Sequence, residues 1–222
     1  MKTIFVTGAH TDIGKTHVAC ALLQAARAQD LSVAAFKPVV SGFDERDWRE
    51  SDPGRLLAAM DIAPTPAALA AISPWRFAAP LSPPMAAARE GRRLDLDEIA
   101  AACRAWLDET AADFKLIEGV GGVMSPITQA ATGLDLMARL AMPNLLVGGS
   151  YLGAISHTLT ALEVLRARGL PPLALVVSQS GEADAPDFTQ TVESVRAFAG
   201  NTPVIAAGRG ETAWGGAVLA AA

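Results

Sequence analysis

The chain has only two cysteines in 222 residues, Cys20 and Cys103, and they do not form a CxxC pair. That spacing suggests no zinc site, and both thiols are expected to be buried within helices. Basic clusters are equally scarce. The net charge is −5, and the one short basic run, Gly91-Arg92-Arg93, reads as a solvated loop. A nucleic-acid partner is therefore not expected. No apolar run reaches the roughly 18 residues, free of charge, Gly and Pro, that would mark a membrane span. The first strand begins almost at residue 1, which reads as leaving no room for a signal peptide. Repeats and low-complexity segments are missing too. The expectation from these absences is a cytoplasmic protein that engages neither nucleic acid nor membrane.

What is present is a chain 51% apolar, enough for a sizeable core. Residues 1–222 read as one α/β domain, a normal size for that class. The chain is organised around residues 2–17. A short apolar run, Ile4 to Val6, leads into Gly8, a polar loop follows, and Gly14-Lys15-Thr16 opens an Ala-rich helix. This is a strand, a phosphate-binding loop and a helix. The spacing departs from the strict P-loop, because five residues rather than four separate Gly8 from Gly14. A helix N-terminus presents unpaired N–H donors and a partial positive charge, and both attract phosphate. Gly14 allows close backbone approach, Lys15 reaches the β- and γ-phosphate oxygens, and the Thr16 hydroxyl suits Mg²⁺.

In order, residues 15–29 read as helix and Ser32 to Lys37 as a second strand. Residues 39–53 read as loop, and Pro53 starts a helix capped by Ser51 or Asp52. Short helical pieces are expected over 54–60 and 66–71, an extended crossing over 73–84, and helices over 85–90 and 95–111. Phe114 to Glu118, Asn144 to Gly148, Leu173 to Ser178 and Pro203 to Ala206 read as strands. Helices are expected from Asp135 to Ala141, from Ile155 to Arg168 and over 186–199. Short uninterrupted apolar strands imply burial on both faces. Their alternation with helices predicts a doubly wound α/β fold of P-loop NTPase type, with a mostly parallel sheet flanked by helices.

Ligands in such folds sit at the carboxyl ends of the strands, where the polar candidates fall. Thr16, Asp52 and Glu118 supply hard oxygens for Mg²⁺. Lys37 ends the second strand and joins Lys15 as a second cation, suited to the charge that spreads during phosphoryl transfer. Ser41 could hydrogen-bond a small substrate. Gly119, Gly121 and Gly122 form a loop whose amides could approach an anion. His10 lies inside the phosphate loop, while the side chains of His17 and His157 read as helix packing.

These residues resemble a known family, the dethiobiotin synthetases. Val6-Thr-Gly-Ala-His-Thr-Asp-Ile-Gly-Lys-Thr16 is similar to the family's loop. Phe36-Lys-Pro-Val-Val-Ser-Gly42, Ser51-Asp52, Pro80-Leu-Ser-Pro83, Glu118-Gly-Val-Gly-Gly122 and Leu152-Gly-Ala-Ile-Ser-His157 resemble its further motifs. The resemblance runs from residue 3 to about 180. It implies a ligase that converts 7,8-diaminopelargonate, CO₂ and ATP to dethiobiotin, ADP and phosphate, by way of a carbamate. It implies catalytic Lys15 and Lys37, and metal held by Thr16, Asp52 and Glu118. Nucleotide would be bound by Asp12, Ile13, Gly14, Lys15, Thr16, His17, Asp52, Glu118, Gly119, Val120, Gly121, Ser178 and Gln179. Thr11 and Ser41 would position the diamine or carbamate. It also implies a homodimer. The chain departs from the family pattern at Ala9-His10, which replaces Thr-Asp, at Tyr151, which replaces Lys or Arg, and at Ser156, which replaces Asn. Two other classes compete: a related P-loop synthetase with another substrate, and a ParA- or MinD-like switch ATPase.

Overall fold

In the computed structural model, which describes residues 2–182 and 184–221, strands and helices alternate along the chain. The single-domain reading also covers residues 1, 183 and 222, which lie outside the described residues. The first half runs β1 (Lys2–Gly8), α1 (Lys15–Arg27), β2 (Val33–Phe36), β3 (Val39–Ser41), α2 (Asp52–Ala59), α3 (Pro66–Ile72), β4 (Trp75–Phe77), α4 (Pro83–Arg89) and α5 (Leu96–Glu109). The second runs β5 (Phe114–Glu118), α6 (Gly133–Leu140), β6 (Asn144–Gly148), α7 (Ala154–Ala167), β7 (Ala174–Ser178), α8 (Phe188–Phe198), β8 (Val204–Ala207) and α9 (Trp214–Ala221).

Six strands form one sheet in the order β2-β5-β1-β6-β7-β8, and every pairing is parallel. Their side chains alternate between two cores, as the two-residue strand period demands. Ile4 and Val6 of β1, Leu116 of β5, and Leu145 and Val147 of β6 face α1, α2 and α9. Phe5, Ile117 and Leu146 face the opposite layer of α5, α6, α7 and α8. Both faces are covered, which explains the continuous apolar strands. The expected doubly wound sheet flanked by helices is the fold found.

Two segments read as irregular contain a second, small sheet. β3 and β4 pair in parallel, with Val39 opposite Trp75 and Ser41 opposite Phe77. Three-residue strands that directly follow Pro38 and Pro74 carry too little periodicity to be seen in the sequence. α9 has no counterpart among the expected elements, although its Trp214, Val218 and Leu219 pack in the α1-side core. The thiols differ from expectation at one site: Cys103 is buried, whereas Cys20 is only half-buried. Burial pushes both up to about 12. Among the described residues, no helix is long and apolar enough to cross a membrane.

Candidate active site

Gly14 caps α1 with φ of 94°, a left-handed conformation that glycine adopts without penalty. A Cβ there would also collide with the Ser178 hydroxyl at the end of β7. The phosphate loop and β7 thus meet at a point where no side chain fits. Beyond Gly14, Lys15 and Thr16 occupy the first turn of α1, and both are buried. The Lys15 ammonium donates to the His10 carbonyl at 3.0 Å, across the loop.

Lys37 follows β2 and is 2% exposed. Its amide donates to Ile72 at 2.9 Å, which fixes the backbone between the two sheets. Its ammonium contacts Glu118 at 2.5 Å and Asp52 at 2.7 Å. Burial alone would lower its pKa, but the two carboxylates outweigh that and hold it raised. Burial likewise pushes Asp52 up, and the Lys37 ammonium more than reverses it, leaving Asp52 lowered. Lys15 shows the opposite balance. Burial and the neighbouring Lys37 charge bring it down to about 8.

Asp52 is available because it does not cap its own helix. Ser51 is the N-cap of α2, accepting from the Gly54 amide at 3.4 Å, while Asp52 and Pro53 take the first helical positions. Glu118 ends β5 and is fully buried. Its Oε1 accepts from the Thr16 hydroxyl at 2.7 Å, and its Oε2 has no hydrogen-bond partner among the described residues. A buried carboxylate oxygen without a partner is costly unless a cation or donor meets it. One hydroxyl and two carboxylates are the hard donors that Mg²⁺ accepts alongside phosphate and water. No group of three His, Cys, Asp or Glu side chains poised for a metal occurs among the described residues.

Two cavities open along this edge of the sheet. The inner groove, about 260 Å³, is lined by Lys15, Thr16, Lys37, Ser41, Asp52 and Gly121, among others. The outer cavity, about 660 Å³, is bordered by Ile13, His17, Ser178 and Gln179, as well as by Arg55, Tyr151 and Arg209. Thr11, Asp12, Gly14, His17 and Arg55 border both. Val120 lines the inner groove as well. Gly119 does not line it: its amide donates to the Val6 carbonyl at 2.9 Å, and a Cβ there would press on the Phe5 ring. The Gly122 amide is likewise taken, donating to the Ser125 hydroxyl at 2.7 Å. Of the expected glycine amides, two are therefore engaged in holding the loop.

The histidines depart from the packing reading. His157 is exposed, 2.7 Å from the Tyr151 hydroxyl through Nδ1, and its ring stacks on His10 with centroids 5.6 Å apart. It lies in the first turn of α7, on the side turned toward the phosphate loop. His17 borders the outer cavity instead of packing only against helices. Arg55 and Arg209 border the cleft without being among the expected site residues, whereas Tyr151, a departure from the family pattern, also lines it. For Arg55 a signal existed, since it follows Asp52 by three positions at the start of a helix.

A parallel sheet, a glycine-capped phosphate loop and converging lysines and carboxylates define a P-loop nucleotide-binding protein. A family described as an AAA domain matches residues 2–207. The ATP-dependent dethiobiotin synthetase BioD of Phenylobacterium zucineum (strain HLK1) is 55% identical over 222 residues, covering 100% of this chain and 95% of the relative. That of Caulobacter vibrioides (strain NA1000 / CB15N) is 56% identical over 209 residues, 94% of this chain and 93% of the relative. The chain belongs to the family of ATP-dependent dethiobiotin synthetases. A ParA family ATPase from Chlorobium tepidum TLS shares the fold alone, with a TM-score of 0.55 at 12% identity over 100% of this chain and 90% of that one.

Proposed function

We infer that the chain makes dethiobiotin from 7,8-diaminopelargonate, CO₂ and ATP, releasing ADP and phosphate, as one synthetase domain spanning residues 1–222. The carrying observation is Lys37, a buried ammonium beside the P-loop lysine in a groove of hydroxyls and carboxylates. One amine of the diamine adds to CO₂ and loses a proton, giving a carbamate. A carbamate oxygen then attacks the γ-phosphorus, and ADP departs with the electrons of the broken P–O bond. The second amine attacks the carbonyl carbon of the mixed anhydride. Phosphate leaves, a proton is lost, and the cyclic urea closes.

Each side chain has work in this sequence. An ammonium has three N–H donors, and the carboxylates Asp52 and Glu118 engage two of those on Lys37. The third can serve an anionic oxygen of the carbamate or of the transferring phosphoryl group. Lys15 and the amides at the start of α1 hold the β- and γ-phosphates. Thr11 and Ser41 border the groove and would orient the diamine or carbamate. Ser178 and Gln179, on the outer cavity, would meet the base. Thr16, Asp52 and Glu118 would hold Mg²⁺, which when bound neutralises charge on the phosphate oxygens.

We further read the protein as a cytoplasmic homodimer. Leu152, 87% exposed just before α7, and Met124, 54% exposed, are apolar side chains suited to a second copy. Sedimentation velocity tests that state. The decisive experiment for the activity measures phosphate release from ATP with Mg²⁺ and bicarbonate, with and without the diamine, and weighs the product. Diamine-dependent release with a product of dethiobiotin mass is expected. Turnover indifferent to the diamine would overturn the reading.

A further inference from the structure

The inner groove and the outer cavity meet at Arg55, which borders both. Its backbone is firmly placed. Pro53, Gly54, Leu56 and Leu57 are all buried, and Gly54 lies so close to the Trp48 and Arg49 carbonyls that a Cβ could not be accommodated. The helix start that delivers Asp52 to Lys37 therefore also fixes where Arg55 begins. Three residues apart on a helix, the two side chains share a face.

The surroundings of the guanidinium are unusual. Asp12, Asp52 and Glu118 all lie close enough to act on Lys15, yet Arg55 pairs with none of them. Its hydrogen bond to the core is made by the backbone, whose carbonyl accepts from the Cys20 thiol at 3.5 Å. Among the described residues the guanidinium has no ion-pair or hydrogen-bond partner. It is exposed and unpaired at the mouth of a cleft in which Lys37 already holds both Asp52 and Glu118. His17, the residue after Thr16, borders the same two cavities as Arg55. Arg55 thus stands beside the end of the phosphate loop nearer the outer cavity, whereas Lys37 stands with Asp52 and Glu118 in the inner groove.

We propose that Arg55 grips the nucleotide at its α-phosphate, from the wall facing the loop, where the phosphate groove opens into the outer cavity. The assignment rests on the reading of this cleft as the ATP site. A guanidinium is suited to the task because its planar fork bonds two phosphate oxygens at once and remains charged at every working pH. Loop amides and Lys15 approach the phosphates from one side. Arg55 supplies the opposing contact and fixes where the phosphate chain bends toward the base. The contact is independent of the γ-phosphate, so it persists in ADP, and the phosphoryl group that is transferred is left to Lys15, the α1 amides and Lys37.

The test is displacement of a fluorescent ATP analogue by ATP, ADP, AMP and adenosine, using the full-length protein and its Arg55→Met, Arg55→Ala and Arg55→Lys variants. Arg55→Met and Arg55→Ala should each weaken ATP, ADP and AMP by a similar factor, about tenfold or more. Adenosine should be unchanged, Arg55→Lys should recover part of the loss, and thermal melting without ligand should shift little. Unchanged AMP affinity, or weakening confined to the triphosphate, would overturn the α-phosphate assignment. An equal loss for adenosine would point to the sugar, the base or the fold instead, and would overturn it too. A wild-type protein that bound none of the four would overturn the nucleotide reading itself, and the role of Arg55 with it.

Discussion

The Thr16 hydroxyl and the Glu118 carboxylate, 102 positions apart in the chain, meet at 2.7 Å. Parallel pairing of β1 with β5 sets this contact, because Val6 and Glu118 are register partners and the phosphate loop leaves β1 at the same edge. Glu118→Gln keeps the shape and an acceptor for Thr16 but removes the charge. We expect turnover to fall about a hundredfold or more, as when one preorganised electrostatic group is lost. The Mg²⁺ concentration for half-maximal rate should rise, which a metal titration of phosphate release reads directly.

Lys37→Met should abolish diamine-dependent turnover while leaving ADP binding within a few-fold of wild type. It also strands the Glu118 carboxylate, which is fully buried. Removing one partner of a buried pair costs about 3–5 kcal/mol, so urea unfolding should show a marked loss of stability. Adding Glu118→Gln to Lys37→Met should restore much of that stability without restoring turnover. Stability that was not restored would place the damage elsewhere than in the stranded charge.

Gly14→Ala tests the close approach of loop and strand. Alanine at φ of 94° is strained, and its methyl meets the Ser178 hydroxyl. Left-handed backbone costs a non-glycine residue about 1–2 kcal/mol before any clash. Nucleotide binding should be lost or sharply weakened. Adding Ser178→Gly should recover only part of it, since removing the clash leaves the backbone strain. Calorimetric titration with ADP and Mg²⁺ distinguishes the two contributions.

The pH dependence follows from Lys15. Burial and the Lys37 charge lower it to about 8, so near that pH the free protein holds only part of its proton. Bound phosphates favour the charged form and raise it. Nucleotide binding should therefore take up a proton, little at pH 7, roughly half at pH 8 and nearly one at pH 9. The nucleotide phosphates are already deprotonated at pH 8–9, so the signal there belongs to the protein. Titrations of ADP in buffers of different ionisation enthalpy measure it. A proton count that did not rise between pH 7 and pH 9 would contradict this environment for Lys15.

The six-stranded sheet was legible because each strand is a short apolar run on two-sided cores, and the glycine, lysine and threonine of the loop mark its start. Lys37 and Glu118 were legible as polar residues ending such runs. The β3–β4 pair was not, because three residues after a proline carry no period. Nor was the engagement of the Gly119 and Gly122 amides, which depends on partners in other segments, Val6 and Ser125. Arg55 was passed over for a different reason. An exposed arginine on a helix reads as solvated, its spacing from Asp52 is a faint signal, and the fold shows that this one opens onto two cavities.

Lys37 gives Asp52 and Glu118 a counterion from within the chain. The fold does not depend on a divalent cation to neutralise its most buried carboxylate, so a chelator should halt turnover while leaving the protein folded. The same arrangement makes substrate entry an exchange of partners at Lys37 and Glu118, whose charges are already out of water, with little fresh desolvation of either to overcome.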